Sequence, residues 1–228
     1  MKNIPSFHSV RAILFDIDDT LFPSSEFSSL ARQNAIHAMI DAGLDASPKE
    51  AYLQLEKIVK SQGSNSRKHF DALAKHFGCK SFDRAIAAGI AAYHNTKSSI
   101  SPYPKISQTL LALRSKNFVV CAASEGVAIK QWDKLIRLGL DQLFHHVFVT
   151  NSSRSGKDAA FYQRIIRALK LKPHEILMVG DNPAKDIAPA KSAGLKTVQI
   201  LSGKHAKEKS NADLTLNSVS ELAKIIKY

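Results

Sequence analysis

Asp16, Asp18 and Asp19 follow directly on the apolar run Ile13-Leu14-Phe15, and Thr20 closes the group. A switch from apolar residues to carboxylates reads as a buried strand whose C-terminal tip carries charge. Asp16 and Asp18 are two residues apart, so on an extended chain they share one face. Carboxylates that close repel each other unless a cation or a shared proton lies between them. Mg²⁺ is the natural candidate, because hard cations take oxygen ligands. Asp and Thr also favour turns and helix caps, so this stretch needs a second acidic site to carry the reading.

Ile176-Leu177-Met178-Val179-Gly180-Asp181-Asn182-Pro183-Ala184-Lys185-Asp186 supplies one. Gly180 permits a tight turn and close backbone approach. Asp181 stands at the end of an apolar run as Asp16 does, and Asp186 follows about one helical turn later. Acidic tips on two separate strands describe a cradle for a divalent cation. Two weaker features accompany them. The run Phe118-Val119-Val120-Cys121-Ala122-Ala123 ends in Ser124-Glu125-Gly126, a hydroxyl before a helix start that suits an anion or serves as an ordinary cap. Ser155-Gly156-Lys157 precedes another helix, and a lysine there reaches an anion above the sheet or is simply a surface lysine.

The elements that must position these residues alternate. A first strand covers residues 12–15. Residues 24–97 then read as four helices (24–42, 48–61, 66–77 and 82–95), with Ser24-Ser25 as a cap, Ser47-Pro48-Lys49-Glu50 as a capping box, and Gly43, Gly63 and Gly78 as stops. From Pro102 onward, helices alternate with short apolar runs at 118–122, 146–149, 176–179, 197–200 and 213–216, the pattern of a parallel sheet. A helix is expected over 184–193 and a last one over 219–226. Residues 205–210 read as a mobile polar loop. The expected fold is α/β: a doubly wound, Rossmann-like core of residues 1–21 and 102–228, with an inserted all-helical domain over residues 22–101.

With 228 residues, of which 44% are hydrophobic, the chain is long enough for such a core and insert. Cys79 and Cys121 lack metal or redox spacing and read as buried thiols in a reducing compartment. No signal core and no run of membrane-spanning length is present, so a soluble cytoplasmic protein is expected. The net charge is +12. Residues 22–101 carry ten Lys and Arg against seven Asp and Glu, and the remainder of the chain carries +9. Such a field attracts anions, small phosphorylated metabolites or nucleic acid. Lys130, Lys134 and Arg137 share a helical face, as do Arg164, Arg167 and Lys170. Without interleaved aromatics these read as solvated basic faces.

In order, the chain presents Asp-x-Asp-x-Thr, a strand-tip serine, a lysine before a later helix, and Gly-Asp-x-x-x-x-Asp. It resembles the haloacid dehalogenase superfamily, in its phosphatase branch with a helical cap inserted after the first motif. Ala31-Arg32-Gln33-Asn34-Ala35-Ile36, Gly63-Ser64-Asn65, His69-Phe70-Asp71 and Ala92-Tyr93-His94-Asn95-Thr96-Lys97 resemble a subgroup of small hydrolases common in archaea. The resemblance implies that Asp16 is a nucleophile forming an aspartyl-phosphate and that Asp18 is the general acid and base. It implies Mg²⁺ held by Asp16, the Asp18 backbone carbonyl and Asp181, with Asp186 orienting Lys157 or metal-bound water. Ser124 and Lys157 are expected on the phosphate oxygens. Glu125 and Thr20 complete the phosphate-binding set, Thr20 also fixing the turn. Dehalogenases of the superfamily lack the second acid, since halide leaves without a proton, so Asp18 implies phosphoryl transfer. The second motif departs from the usual Thr-Asn-Gly or Thr-Asp-Gly, because Glu125 brings a negative charge. The third lacks both usual prolines, and Arg154 is an alternative to Lys157. The cap is expected to choose the substrate, with residues 22–27, Arg32, Asn65, His69 and His94 as candidates to face it. The implied activity is Mg²⁺-dependent hydrolysis of a small phosphomonoester, such as a sugar phosphate or nucleotide. A phosphomutase, or a weakly active scaffold binding nucleic acid, are the alternatives.

Overall fold

The computed structural model describes residues 7–63, 66–150 and 156–226. The chain forms two compact units, Glu26–Ile100 and the combination of Met1–Ser25 with Ser101–Tyr228.

In the second of these, strand β1 (Ala12–Phe15) is buried along its whole length. It is apolar on both faces, as a strand covered on each side requires. It pairs in parallel with β2 (Val119–Ser124) on one side and β4 (Ile176–Gly180) on the other, with Leu14 opposite Cys121 and Met178. β3 (His146–Val149), β5 (Lys196–Ile200) and β6 (Leu214–Leu216) extend the sheet, which among the described residues runs β3-β2-β1-β4-β5-β6 with every pair parallel. The chain therefore builds outward from β1 in one direction and then returns to build from β4 in the other. The carboxyl ends of β1 and β4 flank the switch point, where open α/β sheets bind ligands. This is the expected doubly wound, Rossmann-like arrangement. Helix α5 (Ile106–Ser115) precedes β2, and α6 (Ala128–Arg137) follows it. Helix α7 (Ala159–Leu169) packs Tyr162 and Ile165 against Leu14, Cys121 and Met178. Burial raises the Cys121 thiol to about 12, so this cysteine is an inert core residue.

The helical unit holds most of α1 (Ser24–Asp41), with α2 (Pro48–Gln62), α3 (His69–His76) and α4 (Phe82–Ser98). The capping box forms as expected, with the Glu50 amide donating to the Ser47 hydroxyl at 3.3 Å and Pro48 in the first turn. Ile36, Met39, Leu55, Leu73 and Cys79 meet in its core. Arg32 is engaged within this unit by Glu56 at 2.8 Å, and His69 by the Gly63 carbonyl at 2.9 Å. Asn65, a further candidate for the substrate, lies outside the described residues.

Three local expectations come out differently. Ser24 and Ser25 do not cap α1: they lie inside it, and Asp19 accepts from the Ser25 amide at 2.8 Å. The helix expected over 184–193 is split into a π-helical turn, Pro183–Ile187, and α8 (Ala188–Ser192). Asn182 starts that turn by accepting from the Ala184 and Lys185 amides. The loop at 205–210 is tied down. His205 bonds to Asn182 at 2.9 Å and to Glu208 at 2.8 Å, and Ser210 donates to Gln199 at 2.7 Å. After β6, a short 3₁₀ turn leads into α9 (Leu222–Ile225). No helix among the described residues is long and apolar enough to cross a membrane.

Candidate active site

Asp16 is the first residue past β1, and its amide donates to the Val179 carbonyl at 2.9 Å. This bond carries the β1–β4 pairing one step beyond the strand and fixes Asp16 beside the tip of β4. Asp181 is the first residue past β4. Asp186 arrives from the π-helical turn, whose extra residue lets its carboxylate accept from the Asn182 amide at 3.0 Å. Such widened turns recur at functional sites. One carboxylate oxygen from each of Asp16, Asp181 and Asp186 lies within 4.8 Å of the others, and all three residues are buried. Gly180 makes this closeness possible, because a Cβ there would overlap the Asp186 carboxylate.

Lys157 lies one residue ahead of the N-cap of α7, where Asp158 accepts from the Phe161 amide. Its buried ammonium donates to Asp16 and, at 2.5 Å, to Asp186. Tyr162, farther along α7, donates its hydroxyl to the Asp186 backbone carbonyl at 3.2 Å. Arg154, the alternative to Lys157, lies outside the described residues.

The Asp18 side chain stands apart from this cluster. It is 38% exposed, and Lys134 on α6 donates to its two oxygens at 2.7 and 2.6 Å. Asp19 takes a left-handed backbone (φ 56°), and its carbonyl accepts from the Ser202 hydroxyl. Gly203, also left-handed, leaves open the space that the Asp19 side chain fills. The β5–β6 loop thus holds the loop after β1 through Asp19 and the loop after β4 through the His205–Asn182 bond. Thr20 is buried, and its hydroxyl has no partner among the described residues. Ser124 is the buried last residue of β2. Glu125 faces Lys185 at 3.0 Å, without the alignment of a hydrogen bond. The negative charge that the second motif introduces therefore has its own counter-ion.

A family model described as haloacid dehalogenase-like hydrolase matches residues 10–194. The chain belongs to that family. A protein named glyceraldehyde 3-phosphate phosphatase from Methanopyrus kandleri is 44% identical over 86% of this chain and 86% of its own length. One of the same name from Methanocaldococcus jannaschii is 42% identical over 96% of this chain and 97% of its own. A solved structure of a putative beta-phosphoglucomutase from Thermotoga maritima shares the fold, with a TM-score of 0.73 at 18% identity over 95% of this chain and 98% of that one. Within the family the chain is a phosphoric monoester hydrolase.

The electrostatics of this haloacid dehalogenase-like hydrolase suit a cation. Burial pushes Asp16 up to about 7; Lys157 opposes this, and Asp186 and Asp18 add to it. Burial likewise raises Asp181 to about 8, reinforced by Asp16 and Asp186. Burial alone would lower Lys157, but Asp16 and Asp186 outweigh it and hold the ammonium above its ordinary range. Three buried carboxylates thus face one buried ammonium, and the donors that face one another are all oxygens. That donor set fits Mg²⁺.

A pH dependence follows. Asp16 and Asp181 both titrate above the ordinary 3.8 in the folded chain. The native state therefore binds more protons than the unfolded state between about pH 4 and 8, and metal-free stability falls as pH rises through that window. A metal ion held by these carboxylates would displace those protons, so stabilisation by Mg²⁺ is expected to grow with pH over the same range. At pH 8, Mg²⁺ at about 100 times its Kd is expected to add about 2.7 kcal/mol. Thermal melts are expected to show a gain of roughly 5–10 °C at pH 8 and a much smaller one at pH 5.5. An equal gain at both values would contradict the assignment of these carboxylates to the metal.

Proposed function

We propose that this phosphatase hydrolyses a small phosphorylated sugar, with glyceraldehyde 3-phosphate as first candidate, in a Mg²⁺-dependent reaction through an aspartyl-phosphate on Asp16. One asymmetry carries the reading: Asp16 is buried against Asp181, Asp186 and Lys157, whereas Asp18 is outside that cluster and 38% exposed. Two carboxylates so close in sequence and so unlike in setting suit two different tasks.

In the first half-reaction an Asp16 oxygen attacks phosphorus, the bond to the sugar oxygen breaks, and Asp18 gives that oxygen a proton. In the second, Asp18 takes a proton from water as the water oxygen attacks the same phosphorus. Phosphate leaves, and Asp16 is restored. Splitting one hard displacement into two lowers each barrier. Lys157 keeps Asp16 in place and, with Ser124, meets the non-bridging oxygens. Thr20 adds a buried hydroxyl beside them. Asp16, Asp181 and the Asp18 backbone carbonyl would hold Mg²⁺, with Asp186 orienting Lys157 alongside. When bound, the ion offsets repulsion between carboxylate and phosphate and stabilises charge in the transition state.

The names of the Methanopyrus and Methanocaldococcus relatives support the substrate, and the chain's positive charge supports an anion. The test is phosphate release by the full chain from glyceraldehyde 3-phosphate, phosphoserine, 2-phosphoglycolate and 4-nitrophenyl phosphate, with and without MgCl₂. Glyceraldehyde 3-phosphate is expected to give the highest kcat/KM, by about tenfold, a step that one or two pocket contacts supply. Any other ester of this panel in first place would overturn the substrate and leave the chemistry standing.

A further inference from the structure

We infer that Lys134 is the positioning residue for Asp18, holding the general acid and base in the orientation from which it transfers protons; the inference rests on the hydrolytic reading above. Lys134 lies 116 residues from Asp18 in sequence, yet it donates to Oδ1 at 2.7 Å and to Oδ2 at 2.6 Å. The ammonium is itself held in place. Gln131, one turn earlier on α6, accepts from it at 3.2 Å. Gln131 is buried and donates its amide to the Glu125 carbonyl at 2.9 Å. A continuous set of bonds thus runs from Asp18 through Lys134 and Gln131 to the turn after Ser124. Lys134 lies on the face with Lys130 and Arg137, but its contact with a site residue sets it apart from a solvated surface lysine.

The chemistry gives this contact a purpose. As the phosphorus–oxygen bond to the sugar breaks, the electron pair of that bond stays on the leaving oxygen, which takes the Asp18 proton. Asp18 becomes a carboxylate. An ammonium against both of its oxygens stabilises the charge that forms and keeps the side chain from turning away. The same carboxylate then receives the proton of the attacking water and is neutral again. The paired geometry is the one Asp18 needs between the two half-reactions.

Leaving groups separate this role from a merely structural one. 4-Nitrophenolate departs without a proton, whereas the alkoxide of glyceraldehyde 3-phosphate needs one. The measurement is kcat/KM for both esters, with Mg²⁺, in wild type, K134M, K134R, D18N and D18N/K134M. K134M is expected to lose at least about tenfold more with the alkyl than with the aryl ester, a part of the 100- to 10,000-fold that positioned acid–base groups contribute. K134R is expected to recover most of that difference. On the D18N background K134M is expected to add no selective loss, since interacting residues are not additive. Equal losses on both esters, or the same selective loss with and without Asp18, would overturn the role of Lys134 while leaving the phosphatase reading intact. If K134M does not fold, K134R and K134Q supply the same ratio, and the inference fails unless the arginine variant is the less selective in its loss. Wild-type enzyme inactive on both esters would overturn the hydrolytic reading, and this inference with it.

Discussion

Asp16→Asn is expected to abolish turnover, lowering kcat/KM by about 10,000-fold or more, as removal of a covalent nucleophile does in other enzymes. The substitution is nearly isosteric, so the β1–β4 pairing that places residue 16 is retained. An amide oxygen is a poor nucleophile, and no other carboxylate among the described residues is positioned to replace it. Asp181 and Asp186 share the cluster, but both follow β4 rather than β1, and an Asp186 oxygen is held by the Asn182 amide at 3.0 Å. The variant is expected to remain folded, because it removes one of three mutually repelling buried carboxylates and Lys157 keeps Asp186 as a partner. Steady-state assays with a thermal melt check both halves of the expectation. A folded D16N enzyme retaining a tenth of wild-type activity would exclude Asp16 as the nucleophile.

Lys157→Met has the second large effect, and here stability and activity fall together. The wild-type ammonium lies between two carboxylates, and its side chain is only 3% exposed. Removing it leaves three buried carboxylates facing one another. Breaking a buried pair from one side costs about 3–5 kcal/mol. The penalty is expected near pH 8 in metal-free protein. It should shrink toward pH 5, where Asp16 and Asp181, raised to about 7 and about 8 in the intact site, take up protons instead. Saturating Mg²⁺ is expected to restore part of the stability but not the rate. The loss in kcat is about 100- to 1,000-fold, the scale for removing one fixed positive donor from a transition state. Denaturant melts at pH 5 and pH 8, with and without MgCl₂, give the test. A K157M protein as stable as wild type at pH 8 without metal would show that Lys157 does not compensate these carboxylates.

The residues legible in the sequence are those whose roles are written in adjacent positions. Asp16 and Asp181 each end an apolar run, so the strand, its tip and the charge appear together. Gly180 next to Asp181 carries its meaning in the same way, and the capping box at Ser47 and Glu50 is complete within four residues. What could not be read depends on contacts made across the fold. Lys134 reaches Asp18 from 116 residues away and shares its face with other basic residues, so no local pattern distinguishes it. The compensation of Glu125 by Lys185 joins the loops after β2 and β4. The loop at 205–210 looks mobile by composition, and only its bonds to Asn182 and Gln199 reveal that it braces the site. The π-helical turn at 183–187 has the composition of an ordinary helix start. Its extra residue shows only in how Asp186 returns to the cluster.

The basic faces show the same limit. Within the first of them Lys134 is spent on Asp18 and Arg137 on Asp133 at 2.9 Å, and in the second Arg164 donates to the Val149 carbonyl at 2.9 Å. Two of the three cations of the first face are thus paired with carboxylates, which lowers the charge that face offers a nucleic-acid backbone below what its lysines and arginine alone suggest.

The most direct test is to trap the covalent intermediate. Enzyme mixed with ³²P-labelled glyceraldehyde 3-phosphate and MgCl₂, quenched in acid within one turnover and digested, is expected to carry label on the peptide containing Asp16. The label should be lost to hydroxylamine, as an acyl phosphate is, and be absent from D16N. Complete turnover with no labelled enzyme at any quench time, or label on a peptide lacking Asp16, would contradict hydrolysis through an aspartyl-phosphate at that residue.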